Sequence, residues 1–255
     1  MTVKELYAYL ESRIPRALSC DWDNDGLMCC PNADATVSRV LVALDVTAAV
    51  AQRAIDEGYD LIVSHHPMIF RPIRAVAPGK PVADKTISLL LGGVSVMSFH
   101  TRLDAVEGGV NDVLASRLGL ADVVPFGQNG ETIGRIGTLP EKMTLDAFAQ
   151  RVKQATGAPQ VQISDAGLPV HRVALLGGGG ADDVDAARAA GADTYLTGEL
   201  KHHQLTDAPE EGMNLVMGGH FYTENPVCER IREILSDADA GLTVTVVDSN
   251  PVRFV

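Results

Sequence analysis

Positive charge is scarce in this sequence. Lys and Arg total 21 against 33 Asp and Glu, a formal charge of −12. That argues against a protein whose main work is gripping nucleic-acid phosphates, which needs a basic face, and against docking on anionic lipid. Long hydrophobic runs are also missing. The longest, residues 87–97, is broken by Gly92 and Gly93 and is too short to span a bilayer. The opening MTVKELYAYLESRIP has no apolar signal-peptide core; it reads as an amphipathic helix with Leu6 and Leu10 on one face. Cysteine is sparse: Cys20, Cys29, Cys30 and Cys228 form no CxxC pair. Reduced thiols and a cytoplasmic location are expected. No G-x-S-x-G nucleophile elbow is present.

What is present is an ordinary globular composition, 46% hydrophobic and 21% charged. At about 150 residues per domain, 255 residues amount to roughly 1.7 domains. Short apolar runs alternate with Ala-rich stretches, which predicts an α/β fold with a largely parallel sheet. Strands are expected at 40–44, 61–63 and 94–97, with helices at 45–57, 80–91 and 108–118. Residues 127–137 are glycine-rich and polar, and Thr138-Leu139-Pro140 reads as a turn. The scheme then restarts: helices at 145–156, 181–190 and 226–235, strands at 173–176, 194–196, 215–217 and 244–247.

The restart has an internal match. A shift of 133 positions places Arg39-Val40 on Arg172-Val173, Gly58-x-Asp60 on Gly191-x-Asp193, and Ser64 on Thr197. A shift of 120 places Val96-Met97-x-x-His100-x-x-x-Asp104 on Val216-Met217-x-x-His220-x-x-x-Glu224. The second match includes polar residues that strand physics does not require, and it points to a duplication. Two similar α/β/α units are expected, 1–126 and 127–255, with the C-terminal helix and strand able to pack back on the first.

The residues with chemistry gather after predicted strands, where parallel sheets place their ligands. His65-His66 ends one strand. Adjacent histidines there are expected to diverge and to serve two metals side by side. His100-x-x-x-Asp104 and His220-x-x-x-Glu224 each add an imidazole and a carboxylate. Imidazole suits Zn, Fe, Ni and Cu, and carboxylate can bridge. This is the inventory of a two-metal hydrolytic site. Thr197-Gly198-Glu199-Leu200-Lys201-His202-His203 sits at another strand end; its histidines read as ligands, outer contacts or substrate contacts. Gly177-Gly178-Gly179-Gly180, followed by Asp182 and Asp183, lacks P-loop and dinucleotide spacing. It reads as a tight turn into a helix rather than as a phosphate cradle. His171 is expected at the surface.

Taken in order, Asp23-Asn24-Asp25-Gly26-Leu27, Leu44-Asp45-Val46-Thr47, Ser64-His65-His66-Pro67, Phe99-His100-Thr101-x-x-Asp104, Thr197-Gly198-Glu199-x-x-His202-His203 and Gly219-His220-x-x-x-Glu224 resemble the NIF-three-like family, whose members are often labelled GTP cyclohydrolase 1 type 2 homologs. The resemblance covers nearly the whole chain. It implies two similar α/β units with a dinuclear metal site in the cleft between them, on His65, His66, Asp104, His220 and Glu224, with His100 beside the metals. It also implies a homohexamer. Some members carry a large inserted domain; the short span between Gly137 and His171 matches the form without it. Asp25 and Cys29-Cys30 depart from the apolar and small residues expected there.

Two functions follow as expectations. One is a hydrolase holding two divalent ions (Zn, Fe, Mn or Ni), with a small-molecule substrate such as a nucleotide and His100 or His202 moving protons; GTP ring opening is one form. The other is a metal-handling protein without turnover, using the same ligands.

Overall fold

A computed structural model describes residues 1–128 and 132–255. The chain folds into two compact units: Met1–Leu103 with Val227–Arg253, and Asp104–Pro226 with Phe254–Val255.

In chain order the first unit holds α1 (Val3–Arg13), β1 (Gly26–Cys29), β2 (Arg39–Ala43), α2 (Ala48–Asp56), β3 (Leu61–Ser64), α3 (Pro81–Leu91) and β4 (Ser95–Ser98). A short α4 (Thr101–Ala105) leads into the second unit. That unit contains α5 (Val110–Leu118), β5 (Ala121–Phe126), β6 (Gly134–Met143), α6 (Leu145–Thr156), β7 (Gln162–Ser164) and β8 (Val170–Leu176). It continues with α7 (Val184–Ala189), β9 (Thr194–Thr197), α8 (His202–Glu210), β10 (Asn214–Met217) and α9 (His220–Glu224). The last two elements, α10 (Val227–Ala238) and β11 (Thr243–Val246), belong again to the first unit.

The first sheet has the order β1-β4-β3-β2-β11. All its pairs are parallel except β1 with β4. Successive strand side chains point to opposite faces. Leu41, Ala43, Ile62 and Val96 therefore pack with Val50, Ala51, Ala54 and Leu89 of α2 and α3. Val40, Val42, Leu61, Val63 and Met97, equally buried, face the other side, where α10 lies on β2 and β11 and α1 packs on α10.

The second sheet has the order β5-β6-β8-β9-β10-β7. Only β8-β9 and β9-β10 are parallel; β5-β6, β6-β8 and β10-β7 are antiparallel. One face packs Val173, Leu175, Leu196 and Val216 against Leu114, Phe148 and Val152 of α5 and α6. The other packs Ala174, Leu176, Tyr195 and Leu215 against Val184, Ala187 and Ala208 of α7 and α8. Each unit is thus a three-layer α/β/α stack.

Several expectations are corrected. The first sheet is largely parallel, with the antiparallel edge strand β1 added, but the second is mixed, with parallel pairing confined to β8, β9 and β10. Thr138-Leu139-Pro140 is not a turn but lies inside β6, whose ladder to β8 is interrupted between Thr138 and Met143; proline has no N–H to give there. The polar stretch 127–137 falls partly on residues 129–131, outside the described residues, and its end begins β6. Strands β1, β5 and β7 and helices α4, α8 and α9 were not expected; each has at most nine residues, too few for a clear period. The division between units also differs from the expected 126/127. Helix α5 packs on α6 and β5 pairs with β6, so both lie in the second unit.

The repeat is visible in backbone bonds. Ala43 pairs with Ser64 and Leu176 with Thr197, both members shifted by 133. Gly58 and Gly191 each end a helix at positive φ, 68° and 83°, where a side chain is strained. Asp60 Oδ2 accepts the N–H groups of Ser38 and Arg39 at 2.8 and 2.9 Å. Asp193 accepts those of His171 and Arg172 at 3.1 and 2.7 Å. The shared aspartate therefore caps two amides at the start of the neighbouring strand. The third strand carries a correction. Ser98 pairs with Ser64 and Met217 with Thr197, a shift of 119. The Val96-Met97 match at 120 is one residue out of structural register. The second unit has an extra residue between strand and histidine: Phe99 precedes His100, whereas Gly218-Gly219 precede His220.

Candidate metal centre

In the first unit the ligand-type side chains come from the carboxyl ends of β3 and β4. Parallel strands leave their last carbonyls and the following loop at one edge of the sheet, which is where such folds collect ligands. His65 is fully buried, and its Nδ1 donates to the Phe99 carbonyl at 2.9 Å. His66 Nδ1 lies 2.8 Å from Asp45 Oδ1. His100 Nδ1 lies 2.9 Å from Asp23 Oδ1. A carbonyl or carboxylate partner fixes the proton on Nδ1 in all three rings. Nε2 is then the ring nitrogen turned away from that partner, the one that a metal would take. One ring nitrogen from each of the three histidines lies within 4.8 Å of the others. His65 and His66 do not diverge as expected: their ring centroids are 4.9 Å apart. The strand ends at Ser64, so strict alternation of side chains stops before the pair.

Asp23 is buried and multiply bonded. Besides His100, it accepts the Thr101 N–H at 3.0 Å and the Thr101 hydroxyl at 2.7 Å. Burial pushes its carboxyl up, but the bonds from His100 and Thr101 outweigh this and hold it at about 2. The neighbouring Asn24 donates its side-chain amide to the Ile69 carbonyl. Asp25, buried, accepts Arg102 Nε at 3.0 Å and the His100 N–H at 3.2 Å. Its departure from the family pattern thus has a structural account: it neutralises the fully buried Arg102 and steadies the His100 backbone. Cys29 is buried and its thiol is pushed up to about 11 by burial and by Cys30 beside it. None of the four cysteines forms a disulfide.

In the second unit, Glu224 is buried and Oε2 lies 3.2 Å from His220 Nε2, while His220 Nδ1 lies 3.2 Å from Glu199 Oε1. Carboxylate oxygens of Asp104 and Glu224 lie within 4.8 Å of each other. Two of the four glycines, Gly177 and Gly178, lie against Glu224. Gly177 N–H goes to Asn111 Oδ1 at 2.8 Å, Gly178 N–H to Thr223 Oγ1 at 3.0 Å and Gly180 N–H to Thr197 Oγ1 at 3.0 Å. Those amides are internally bonded rather than presented to a phosphate. The loop leads through a single 3-10 turn containing Asp182 and Asp183 into α7. Its glycine content has a second cause. A Cβ on Gly178 would collide with Glu224 Oε1 and come within 2.9 Å of His220 Nε2; one on Gly198 would come within 2.7 Å of His220 Cα. The loop clears space for His220 and Glu224, a role that composition alone does not reveal.

His202 and His203 are exposed at the start of α8, whose first turn is fastened by Gln204 Oε1 accepting the Lys201 N–H at 2.9 Å. Neither belongs to a metal-capable group among the described residues. His171 is half-buried and its amide is held by Asp193. Sequence reasoning assigned no role to Asp23, Asn24 or Asp45; their signal was the D-N-x-G-L and L-D-V-T strings, whose polar members brace the histidines.

The model of the family described as Duf34/NIF3 (NGG1p interacting factor 3) matches residues 1–251. The chain belongs to this family. Among curated relatives of this Duf34/NIF3 chain, a GTP cyclohydrolase 1 type 2 homolog from Nostoc sp. is 36% identical, covering 92% of this chain and 91% of that one. Protein NIF3 homolog from Schizosaccharomyces pombe is 34% identical, covering 97% and 96%. Among solved structures, reduced HcgD from Methanocaldococcus jannaschii superposes with a TM-score of 0.85 at 28% identity, over 96% and 97% of the two chains. A Bacillus cereus protein related to NIF3 superposes at 0.88 and 24% identity, over 100% and 99%, and shares the fold. Among the described residues, no helix is long and apolar enough to cross a membrane.

Proposed function

We propose that this protein is a divalent-metal-dependent hydrolase of a small molecule, with two ions held by His65, His66, Asp104, His220 and Glu224. The observation that carries the reading is the set of three imidazoles in the first unit, each with Nδ1 tied to an acceptor and a ring nitrogen within 4.8 Å of the others. The donor set fits: neutral imidazole and carboxylate suit Zn, Fe, Mn or Ni, and the cradle that a Cβ on Gly178 would fill leaves room at Glu224. Bound divalent ions supply Lewis acidity and lower the pKa of water toward neutrality.

The chain's own groups do the rest. Asp45 and Asp23 orient the His66 and His100 rings, and Asp23 keeps His100 protonated on Nδ1 so that Nε2 can take a proton and return it. His202, exposed on α8, is the second proton carrier in this reading. The substrate class is a small molecule, with nucleotides first among candidates because relatives bear the GTP cyclohydrolase homolog name. The assembly is proposed to be a homohexamer and the compartment the cytoplasm. Elemental analysis of protein purified without chelator tests the centre. Wild type should hold about two equivalents of divalent metal and Glu224→Ala at most about one; two equivalents persisting in the variant would overturn the ligand assignment. Metal-loaded protein that turns over no nucleotide, ester or phosphoester would leave metal handling as the function.

A further inference from the structure

Two large aromatic side chains stand exposed beside the imidazole group of the first unit. Trp22 is 59% exposed and Phe70 45% exposed. Both meet the His100 ring edge to face, at centroid distances of 6.1 and 5.8 Å and interplanar angles of 76° and 88°. They also meet each other at 6.2 Å and 79°. Leaving this much aromatic surface in water forgoes the benefit of burial, so the patch calls for an occupant.

The rings are also braced. Asp23, next to Trp22, is bonded to His100 and Thr101, and the Cys20 N–H donates to Thr101 Oγ1 at 3.0 Å. Asn24 bonds the Ile69 carbonyl, tying the strand of chain that carries Trp22 to the one that carries Phe70. The same short segment therefore orients the proton-moving histidine and sets two aromatic rings next to it.

We infer that Trp22 and Phe70 form an aromatic subsite that stacks a planar heteroaromatic ring of the substrate against His100. A ring held there has its π face on the indole or the phenyl and its edge near His100. Aromatic stacking tolerates different bases, because every base has a π face, so the subsite selects the class of ring rather than one base. The inference deepens the hydrolase reading and depends on it only for calling the bound molecule a substrate. Ring binding itself requires neither metal nor turnover.

Trp22 is the only tryptophan, so its fluorescence reports on the subsite directly. Full-length protein is titrated with GMP and, as a control without a base, with ribose 5-phosphate. GMP should quench Trp22 saturably and ribose 5-phosphate should not. Phe70→Leu keeps the reporter and should weaken GMP binding about fivefold or more, the lower range for loss of a stacked base. Trp22→Leu, followed by calorimetry, should weaken it at least as much, with unchanged circular dichroism. Equal quenching by both ligands, no saturable quenching by GMP or by the other nucleoside monophosphates, or unchanged GMP affinity in Phe70→Leu overturns the inference. So does a change of oligomer mass in Trp22→Leu by light scattering, which would make the patch an interface between copies. Metal content is measured on the same samples. Saturable GMP quenching in protein that binds no metal defeats the hydrolase reading and keeps the subsite; full metal content without quenching does the reverse.

Discussion

The two units share a frame and differ at the strand ends. In both, an aspartate after a helix-ending glycine caps the two amides that open the neighbouring strand, and β2-β3 and β8-β9 pair in the same register. Past the last strand residue the likeness stops. Where the first unit has Asp45 and His65, the second has Gly178 and Gly198 at the positions shifted by 133. The first unit fills its strand ends with imidazoles braced by two carboxylates and a backbone carbonyl. The second empties them, and His220 and Glu224 from α9 occupy the cleared space. Residues that serve the backbone are held in common, while those that face outward from the sheet edge have been free to specialise.

The largest expected effect comes from refilling one cleared position. Gly178 has a φ of 67°, and a Cβ there would lie 2.8 Å from Glu224 Cδ and 2.9 Å from His220 Nε2. Gly178→Ala should therefore displace both proposed ligands and abolish the metal contribution of the second unit, with at most one equivalent left by elemental analysis. The left-handed backbone adds about 1–2 kcal/mol of strain. Gly179→Ala meets nothing within 4 Å and serves as the control. Full metal content in Gly178→Ala would mean that the clearing is incidental to the centre.

The first unit has an ionic brace with no counterpart at the shifted positions. Arg102 is fully buried, with Nε on Asp25 and Nη1 donating to the Ile14 carbonyl at 3.1 Å and to Glu11 at 2.5 Å. Its guanidinium also lies over the Phe99 ring, 4.6 Å from the centroid. Arg102→Met takes one of two guanidinium partners from the buried Asp25, which keeps Arg16, and should cost about 1–3 kcal/mol, whereas adding Asp25→Leu should recover part of that loss. Urea unfolding of the single and double variants checks it. If the double variant is no more stable than Arg102→Met, the brace is not a mutually compensating pair, and the His100 amide that Asp25 also holds is the more important partner.

How much of this was legible follows from the same contrast. The parallel centres were readable because fully buried strands are continuous apolar runs, as in Val40 to Ala43 or Val173 to Leu176. The edge strands were not: β5 has one buried residue in six and β7 none in three, so neither carries a hydrophobic signal. The histidines and carboxylates stood out by type and by position after strands. Their supports did not, since nothing in Asp23 or Asp45 distinguishes a histidine brace from a turn residue until the chain is folded. The glycine run was legible as a turn, but its purpose depends on side chains more than forty positions away. The Val96-Met97 match misled because any two apolar strand pairs can be aligned, whereas hydrogen-bond register admits one alignment.

The smallest effect offers the most direct comparison. Asp60 and Asp193 are both half-buried and each accepts two strand-opening amides; Asp193 also accepts the Thr194 hydroxyl at 2.8 Å. Replacing either by Ala leaves those amides to water and should cost about 1–2 kcal/mol. Because two units need not unfold together, amide hydrogen exchange is the better measurement. Asp60→Ala should speed exchange at Ser38 and Arg39 and spare His171 and Arg172, and Asp193→Ala should do the opposite by a similar factor. If the duplication kept this aspartate for its backbone bonds, the two factors agree to within the extra bond from Thr194. A cost confined to one unit would show that the matching geometry has outlived an equal energetic role in the other.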